Sequence, residues 1–417
     1  MDWQRHVVWW HVYPLGFTGA PIREPDPSPG PRLRALVPWL DHLIELGASG
    51  LLLGPVFASE THGYDTVDFS RIDPRLGDDA DLDLLLEECR RRGIRVLLDG
   101  VFSHVGRAHP LHAQALADPD GDAARVLDLD RDAPGGPRAR VFEGHDALVR
   151  LDHSDPATAD LVVDVMGHWL RRGVDGWRLD AAYSVDPAFW AAVLPRVRAE
   201  HPGAWFLGEV IHGDYAAFVA ASGVDSVTQY ELWKAIWSSI LDRNLHELDH
   251  ALGRHTDFLR SFVPQTFVGN HDVTRIATTL GAEGAVVALA VLMTVGGIPS
   301  VYAGDEHGFT GTKEERLGGD DAVRPAFPAS PADLSPLGEP VFRAHQALVS
   351  LRRRHPWLVD ATTRSLRLEN TRYAYRVTSR TSPDDHLDVE IDLEGSPAAA
   401  VRDPGGTVLW RSERSGR

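Results

Sequence analysis

The chain has 417 residues, and 42 Lys plus Arg against 60 Asp plus Glu give a formal net charge of −18. With 43% hydrophobic and 24% charged residues, it has the composition of a globular protein able to bury a large core. So acidic a surface repels phosphate backbones and anionic headgroups, so neither nucleic acid nor a membrane is expected as a partner, while a neutral ligand meets no penalty.

The N-terminus, Met1-Asp2-Trp3-Gln4-Arg5-His6, has no basic segment followed by an apolar one. No secretory signal is read there, and a cytoplasmic address is expected. Val7 to Tyr13 is the first apolar run, and Leu33 to Leu46 has helical period. A near-continuous apolar run covers Gly50 to Val56. Leu82 to Arg92 reads as a helix stopped by Gly93, and Ile94 to Phe102 as a buried run. The single cysteine, Cys89, lies in that helix; one thiol builds no disulfide framework, and it reads as a packing residue.

Pro156 to Arg172 is a helix with Asp155 as N-cap and Gly173 as its stop. Gly176 to Asp180 and Trp205 to Val210 are short runs that flank a helix over Asp186 to Glu200. Asp214 to Ser222 is helical, Ser226 to Leu232 extended, and Trp233 to Phe262 a long helical region. Thr266 to Asn270 is a run, Val273 to Val295 mostly helical, and Pro299 to Gly304 the last run. The apolar stretch from Gly284 to Tyr302 is broken by Thr294, Gly296-Gly297 and Pro299, so it reads as a buried helix and strand rather than a membrane span.

Strand-like runs separated by helices require a parallel sheet, since each parallel crossover needs a helix. Eight such units predict an α/β fold of the (β/α)8 TIM-barrel type. A doubly wound open sheet is disfavoured because the first turn, Pro14-Leu15-Gly16-Phe17-Thr18-Gly19, lacks the G-x-G-x-x-G spacing. Residues 107–150 break the alternation and read as a short inserted loop or subdomain after strand three. Residues 357–417 are richer in alternating and β-branched residues and read as a small C-terminal antiparallel β-domain, leaving 1–356 for the barrel.

The position of the polar residues carries the chemistry. Run three ends Leu98-Asp99-Gly100-Val101-Phe102-Ser103-His104, run four Trp177-Arg178-Leu179-Asp180, run five Leu207-Gly208-Glu209, and run seven Gly269-Asn270-His271-Asp272. In a barrel these strand ends meet on one face, where active sites sit. A buried carboxylate is expensive unless paired or functional, and four from separate strands on one face outnumber what capping explains. Two close carboxylates suit glycosidic chemistry: one attacks the anomeric carbon and the other protonates the leaving oxygen. Arg178 shares a strand face with Asp180, so its charge is expected to keep Asp180 ionised; a plain structural ion pair is the alternative.

Several strings resemble signatures of the α-amylase family of retaining α-glycosidases and transglycosylases. They are Asp99-Gly-Val-Phe-Ser-His104, Gly176-Trp-Arg-Leu-Asp180, Leu207-Gly-Glu209 and Phe267-Val-Gly-Asn-His-Asp272. Gly297-Ile-Pro-Ser-Val-Tyr-Ala-Gly-Asp-Glu306 and His62-Gly-Tyr-Asp65 with Ile72-Asp-Pro-Arg-Leu-Gly77 add to them. Each is weak alone; together, in the family's order, they cover residues 7 to about 330. The resemblance implies Asp180 as nucleophile, Glu209 as acid/base and Asp272 as the carboxylate that binds sugar hydroxyls. It implies that Tyr64, Asp65, His104, Arg178, Asn270 and His271 line the sugar subsite, with Tyr64 stacked on the ring. Arg275, a helical turn past Asp272, pairs with a site carboxylate or is a surface charge.

The chain also departs from the family. Many members have an asparagine at the place of Ser103 that helps bind a structural calcium, and serine is a poorer ligand. Asp118-x-Asp120-Gly121-Asp122 resembles part of a calcium loop, but the twelfth position is Leu129 rather than the required glutamate, so no metal or other cofactor is expected. Among the 12 tryptophans, Trp9, Trp10, Trp177, Trp233 and Trp237 lie near strand ends; core packing is the preferred reading for each, sugar stacking the other. Trp233 and Trp237 share one helix face. The expected activity is hydrolysis of α-1,4-linked glucans, with a small-molecule oligosaccharide as partner. A transglycosylase or trehalose synthase-like isomerase uses the same carboxylates and stays open, as does oligomeric state. A non-catalytic sugar-binding barrel is disfavoured because all three carboxylates are present.

Overall fold

In the computed structural model, which describes residues 3–23 and 30–413, eight short parallel strands form the first sheet. They are β1 (Trp9–Val12), β2 (Gly50–Leu53), β3 (Arg95–Gly100), β4 (Gly176–Leu179), β5 (Trp205–Gly208), β6 (Ser226–Val227), β7 (Gln265–Phe267) and β8 (Ile298–Tyr302). The strand order is β6-β5-β4-β3-β2-β1-β8-β7. A parallel bridge from Thr228 to Gln265 joins the two ends, so the sheet closes into the expected barrel.

The strands are buried on both faces, and their alternation divides the barrel. Outward residues such as Trp10, Leu51, Leu98, Trp177 and Phe206 pack into the core shared with the surrounding helices. Inward residues Trp9, Leu52, Leu97, Trp205, Leu207 and Ile298 make a separate cluster at the N-terminal end of the barrel. Trp9 and Trp205 stack there with centroids 5.9 Å apart. Gly50 stands beside Trp9 in register, and a β-carbon at Gly50 would lie 2.3 Å from the indole. Two residues further along, the same inward rows become polar: Leu97 is followed by Asp99 and Leu207 by Glu209. The apolar floor and the charged mouth are thus one period-two pattern.

The helices begin and end where local chemistry dictates. Asp155 accepts from the Ala157 N–H to start Pro156–Arg171, and Gly173 follows at φ 110°. Asp78 and Asp81 form a reciprocal capping box ahead of Asp79–Arg91, which buries Cys89. Burial raises that thiol to about 12, in keeping with a packing role.

Two local expectations are revised. Only Ser226–Val227 of the sixth run is strand, because Gln229 caps a helix over Tyr230–Leu241 with its side chain. The region expected as one helix to Phe262 is two, Tyr230–Leu241 and His246–Phe258. In the insert, His104–Gly106, His145–Arg150 and Val141–Phe142 make a three-stranded antiparallel sheet, with short helices over Pro110–Ala117 and Ala123–Val126.

Helix Ile276–Thr294 is long and apolar enough to cross a membrane by length and composition. Here every residue from Val287 to Thr294 is buried, and the helix packs on Tyr230–Leu241 and Glu339–Arg354. Beyond it, β9 (Thr362–Leu368), β10 (Arg372–Thr378), β11 (His386–Asp392), β12 (Ala398–Arg402) and β13 (Val408–Arg411) form an antiparallel sheet in sequence order. Its apolar face rests on that helix, where the Thr294 and Tyr375 hydroxyls meet at 2.8 Å.

Candidate active site

The C-terminal ends of the strands deliver the expected carboxylates to one place. Register sets Arg178 on β4 beside Asp99 on β3 and Leu207 on β5. The Arg178 Nη1 lies 2.7 and 2.6 Å from the two Asp99 oxygens and 3.1 Å from Asp180 Oδ1. Its Nη2 lies 2.6 Å from Glu209 Oε1. One guanidinium therefore holds three carboxylates, all of them buried.

The turn after β4 tightens this arrangement. Ala181 adopts φ 44°, a left-handed conformation costly for a residue with a β-carbon. Its N–H donates to Glu209 Oε2 at 2.9 Å, so the backbone next to Asp180 orients the carboxylate on the neighbouring strand. The Tyr230 hydroxyl donates to Glu209 Oε1 at 3.2 Å and accepts from Asn270 Nδ2 at 2.9 Å. Asn270 Oδ1 in turn accepts from the Asp272 N–H at 2.9 Å. Glu209 and Asp272 are thus joined through Tyr230 and Asn270.

Asp272 is more open than the other two, with its side chain 32% exposed. Arg324 donates from Nη2 to Asp272 Oδ1 at 2.8 Å and from Nε to the His271 carbonyl at 2.9 Å. His271 Nε2 lies 3.0 Å from Asp272 Oδ2 and bonds the Tyr64 hydroxyl, which also donates to Asp99 at 3.1 Å. The Tyr64 and His271 rings lie nearly parallel, with centroids 5.4 Å apart.

Asp180, Glu209, Asp272, Arg178, Asn270, His271 and Tyr64 therefore come together as one connected site. His104 and Asp65 stand one step behind. His104 Nε2 donates to the Tyr64 carbonyl at 2.9 Å and its Nδ1 accepts from the Ser103 hydroxyl at 2.8 Å, so both ring nitrogens are used to hold the Tyr64 segment. Asp65 Oδ2 accepts from the Thr61 hydroxyl at 2.5 Å.

Sequence reasoning left three participants out of the site. Asp99 was visible as a strand-end carboxylate, while Tyr230 and Arg324 carried no local signal. Arg275 is neither of the alternatives considered: it is buried and donates to Asp305 Oδ1 at 2.9 Å and to the carbonyls of Ala303 and Val323. Trp9, Trp10 and Trp177 are core residues, but Trp233 and Trp237 are only half-buried.

Burial and then the Glu209 charge raise the Asp180 carboxyl, while the Arg178 guanidinium pulls it down. Burial likewise pushes Asp99 up to about 6. Burial, then Arg324 and Arg178, hold the His271 imidazole well below its ordinary value, so it is neutral.

A sequence profile described as alpha amylase, catalytic domain, matches residues 27–125 and 141–361. A cyclomaltodextrinase of Geobacillus thermopakistaniensis is 32% identical over 340 residues, 74% of this chain and 57% of that protein. Neopullulanase 2 of Thermoactinomyces vulgaris is 29% identical over 424 residues, 94% of this chain and 70% of its own length. This chain thus spans little more than half of the first relative. The cyclic α-maltosyl-(1→6)-maltose hydrolase of Arthrobacter globiformis superposes with a TM-score of 0.81 at 24% identity, covering 97% of this chain and 98% of that one. The profile match takes in β2 to β8 and every carboxylate described above, and the chain belongs to the α-amylase family.

Proposed function

We propose that this protein is a retaining α-glycoside hydrolase that cleaves α-1,4-linked glucans or maltooligosaccharides by double displacement. The observation that carries this reading is the clamp of Asp180 and Glu209 on adjacent nitrogens of Arg178. That clamp brings two carboxyl groups close together, as covalent glycosidic chemistry requires. The names of the related proteins, a cyclomaltodextrinase and a neopullulanase, support the substrate class.

Asp180 attacks the anomeric carbon, forming a glycosyl ester as the glycosidic C–O bond breaks. Glu209 gives its proton to the departing oxygen. It then removes a proton from the water that attacks the ester, which returns Asp180 as a carboxylate. In this division Glu209 carries the proton while the Arg178 guanidinium, 3.1 Å from Asp180 Oδ1, holds Asp180 as the attacking carboxylate. Asp272, turned outward and fixed by Arg324, binds sugar hydroxyls. Tyr64 and neutral His271 present an aromatic wall to the ring.

Product analysis tests the reading. Wild type and Asp180→Asn are incubated with maltose, maltotriose and maltoheptaose, and the sugars are chromatographed. Shorter sugars from wild type alone are expected. Trehalose or longer sugars as the main products would contradict hydrolysis, and no turnover of any of the three would contradict the substrate class.

A further inference from the structure

The proposed chemistry accounts for the sugar unit at the carboxylates, but the aromatic surface continues past it. A cleft of about 420 Å³ opens beside Asp272, walled by Trp233, Trp237, Val268 and Ile276, with Thr274, Lys313 and Glu315 among its polar lining. A second cleft, of about 450 Å³, is lined by Trp233 together with Tyr230, His212 and Ile211. Trp233 thus borders both clefts. One includes Asp272, and the other Tyr230, which bonds Glu209.

The packing explains why this indole is rigid. Trp233 stacks on Phe267 with centroids 6.2 Å apart and 18° between planes, and Trp237 lies 5.9 Å from Trp233 on the same helix face. Phe267 is the last residue of β7, so the indole is referenced to the barrel itself. Seven other tryptophans, Trp9, Trp10, Trp39, Trp169, Trp177, Trp190 and Trp205, are buried core residues. Trp233 and Trp237 are half-buried, and among the described residues they line a cleft that includes a catalytic carboxylate. A half-exposed rigid indole next to a few polar groups matches a pyranose, which offers an apolar C–H face and a polar hydroxyl edge.

The geometry points to Trp233, backed by Trp237, as the platform for a further glucosyl unit of a longer α-glucan, so that this pair sets a preference for oligosaccharides over disaccharides. The inference rests on the proposed α-glucan reading. It is separable from it, because the platform governs chain length and the carboxylates govern chemistry. A core role alone would be served by any apolar side chain of similar bulk, whereas a platform needs the aromatic face.

The test compares wild type with Trp233→Leu, Trp233→Phe and Trp237→Phe on maltotriose and maltoheptaose, with melting curves to confirm folding. It also titrates both sugars calorimetrically into the same variants carrying Asp180→Asn. For Trp233→Leu, the expected result is an about three- to tenfold rise in KM and Kd for maltoheptaose, the range of one aromatic contact. Maltotriose should change little, and Trp233→Phe should restore most of the loss. Equal weakening of both sugars, or no change in either, would overturn the platform while leaving the hydrolase reading intact. Absence of both binding and turnover in wild type would overturn the two together.

Discussion

Arg178 and Asp99 stand side by side in the register of β4 and β3, and the guanidinium meets both Asp99 oxygens at 2.7 and 2.6 Å. Asp99 therefore fixes Arg178, and the fixed Arg178 reaches Asp180 with one nitrogen and Glu209 with the other. The ion pair is a scaffold for the two groups proposed to react as much as a source of stability.

Removing the cation should be severe. Arg178→Met leaves three buried carboxylates uncompensated, and a stability loss of about 3–5 kcal/mol is expected in urea unfolding. Arg178→Lys keeps a charge but not the fork, so it should be milder in stability while still losing most activity. An Arg178→Met protein as stable and active as wild type would refute the scaffold.

Tyr230 is buried against Phe267 and holds Glu209 with its hydroxyl. Tyr230→Phe removes the hydroxyl that donates to Glu209 at 3.2 Å and accepts from Asn270. Without that bond Glu209 is less well oriented toward the departing oxygen, so kcat should fall about tenfold or more with little change in KM. An unchanged kcat would show that Tyr230 only packs.

Arg324 fixes the outward carboxylate. Arg324→Ala frees Asp272 from its 2.8 Å contact and the His271 carbonyl from its 2.9 Å contact. Weaker sugar binding and a fall in kcat/KM of about one to two orders of magnitude are expected, the worth of a buried charged contact. Steady-state kinetics on maltotriose decides it.

Acid should destabilise the fold before it protonates the surface. Burial lowers His104, His109, His255 and His345 each to about 4. The folded state keeps these rings neutral while the unfolded chain takes protons near 6.5, so their contribution is whole above 6.5 and is lost as pH falls toward 4. Each group costs about 1.4 kcal/mol per pH unit in that window. Asp99 and Asp305, both pushed up to about 6 by burial, act in the opposite sense between their ordinary range and 6. Burial also lowers His11, His62, His153, His271 and His307 and raises Asp180 and Asp225, so nine lowered histidines outweigh four raised carboxyls and Tm should drop between pH 6.5 and 4.5. A flat or rising Tm over that interval would contradict this balance.

The barrel was legible in the sequence because its strands are buried on both faces and its helices are capped, so each element carried its own signal, as at Asp155 and Gly173. The strand-end residues Asp180, Glu209 and Asp272 were legible because a barrel gathers strand ends. Arg324 was not: it lies 52 residues past Asp272, and only tertiary folding brings it back. Tyr230 was hidden by a helix start three residues past the end of a two-residue strand, where an extended reading fits equally well. The sharing of Arg178 among three carboxylates was also hidden, because spacing along one strand says nothing about register with the next.

The most direct measurement follows the anomeric proton by NMR during the first turnovers of maltotriose. A covalent ester on Asp180 followed by hydrolysis inverts the anomeric centre twice, so the new reducing end should appear as the α anomer and mutarotate later to the equilibrium mixture. A β anomer appearing first would mean a single displacement by water, and Asp180 would not be the nucleophile.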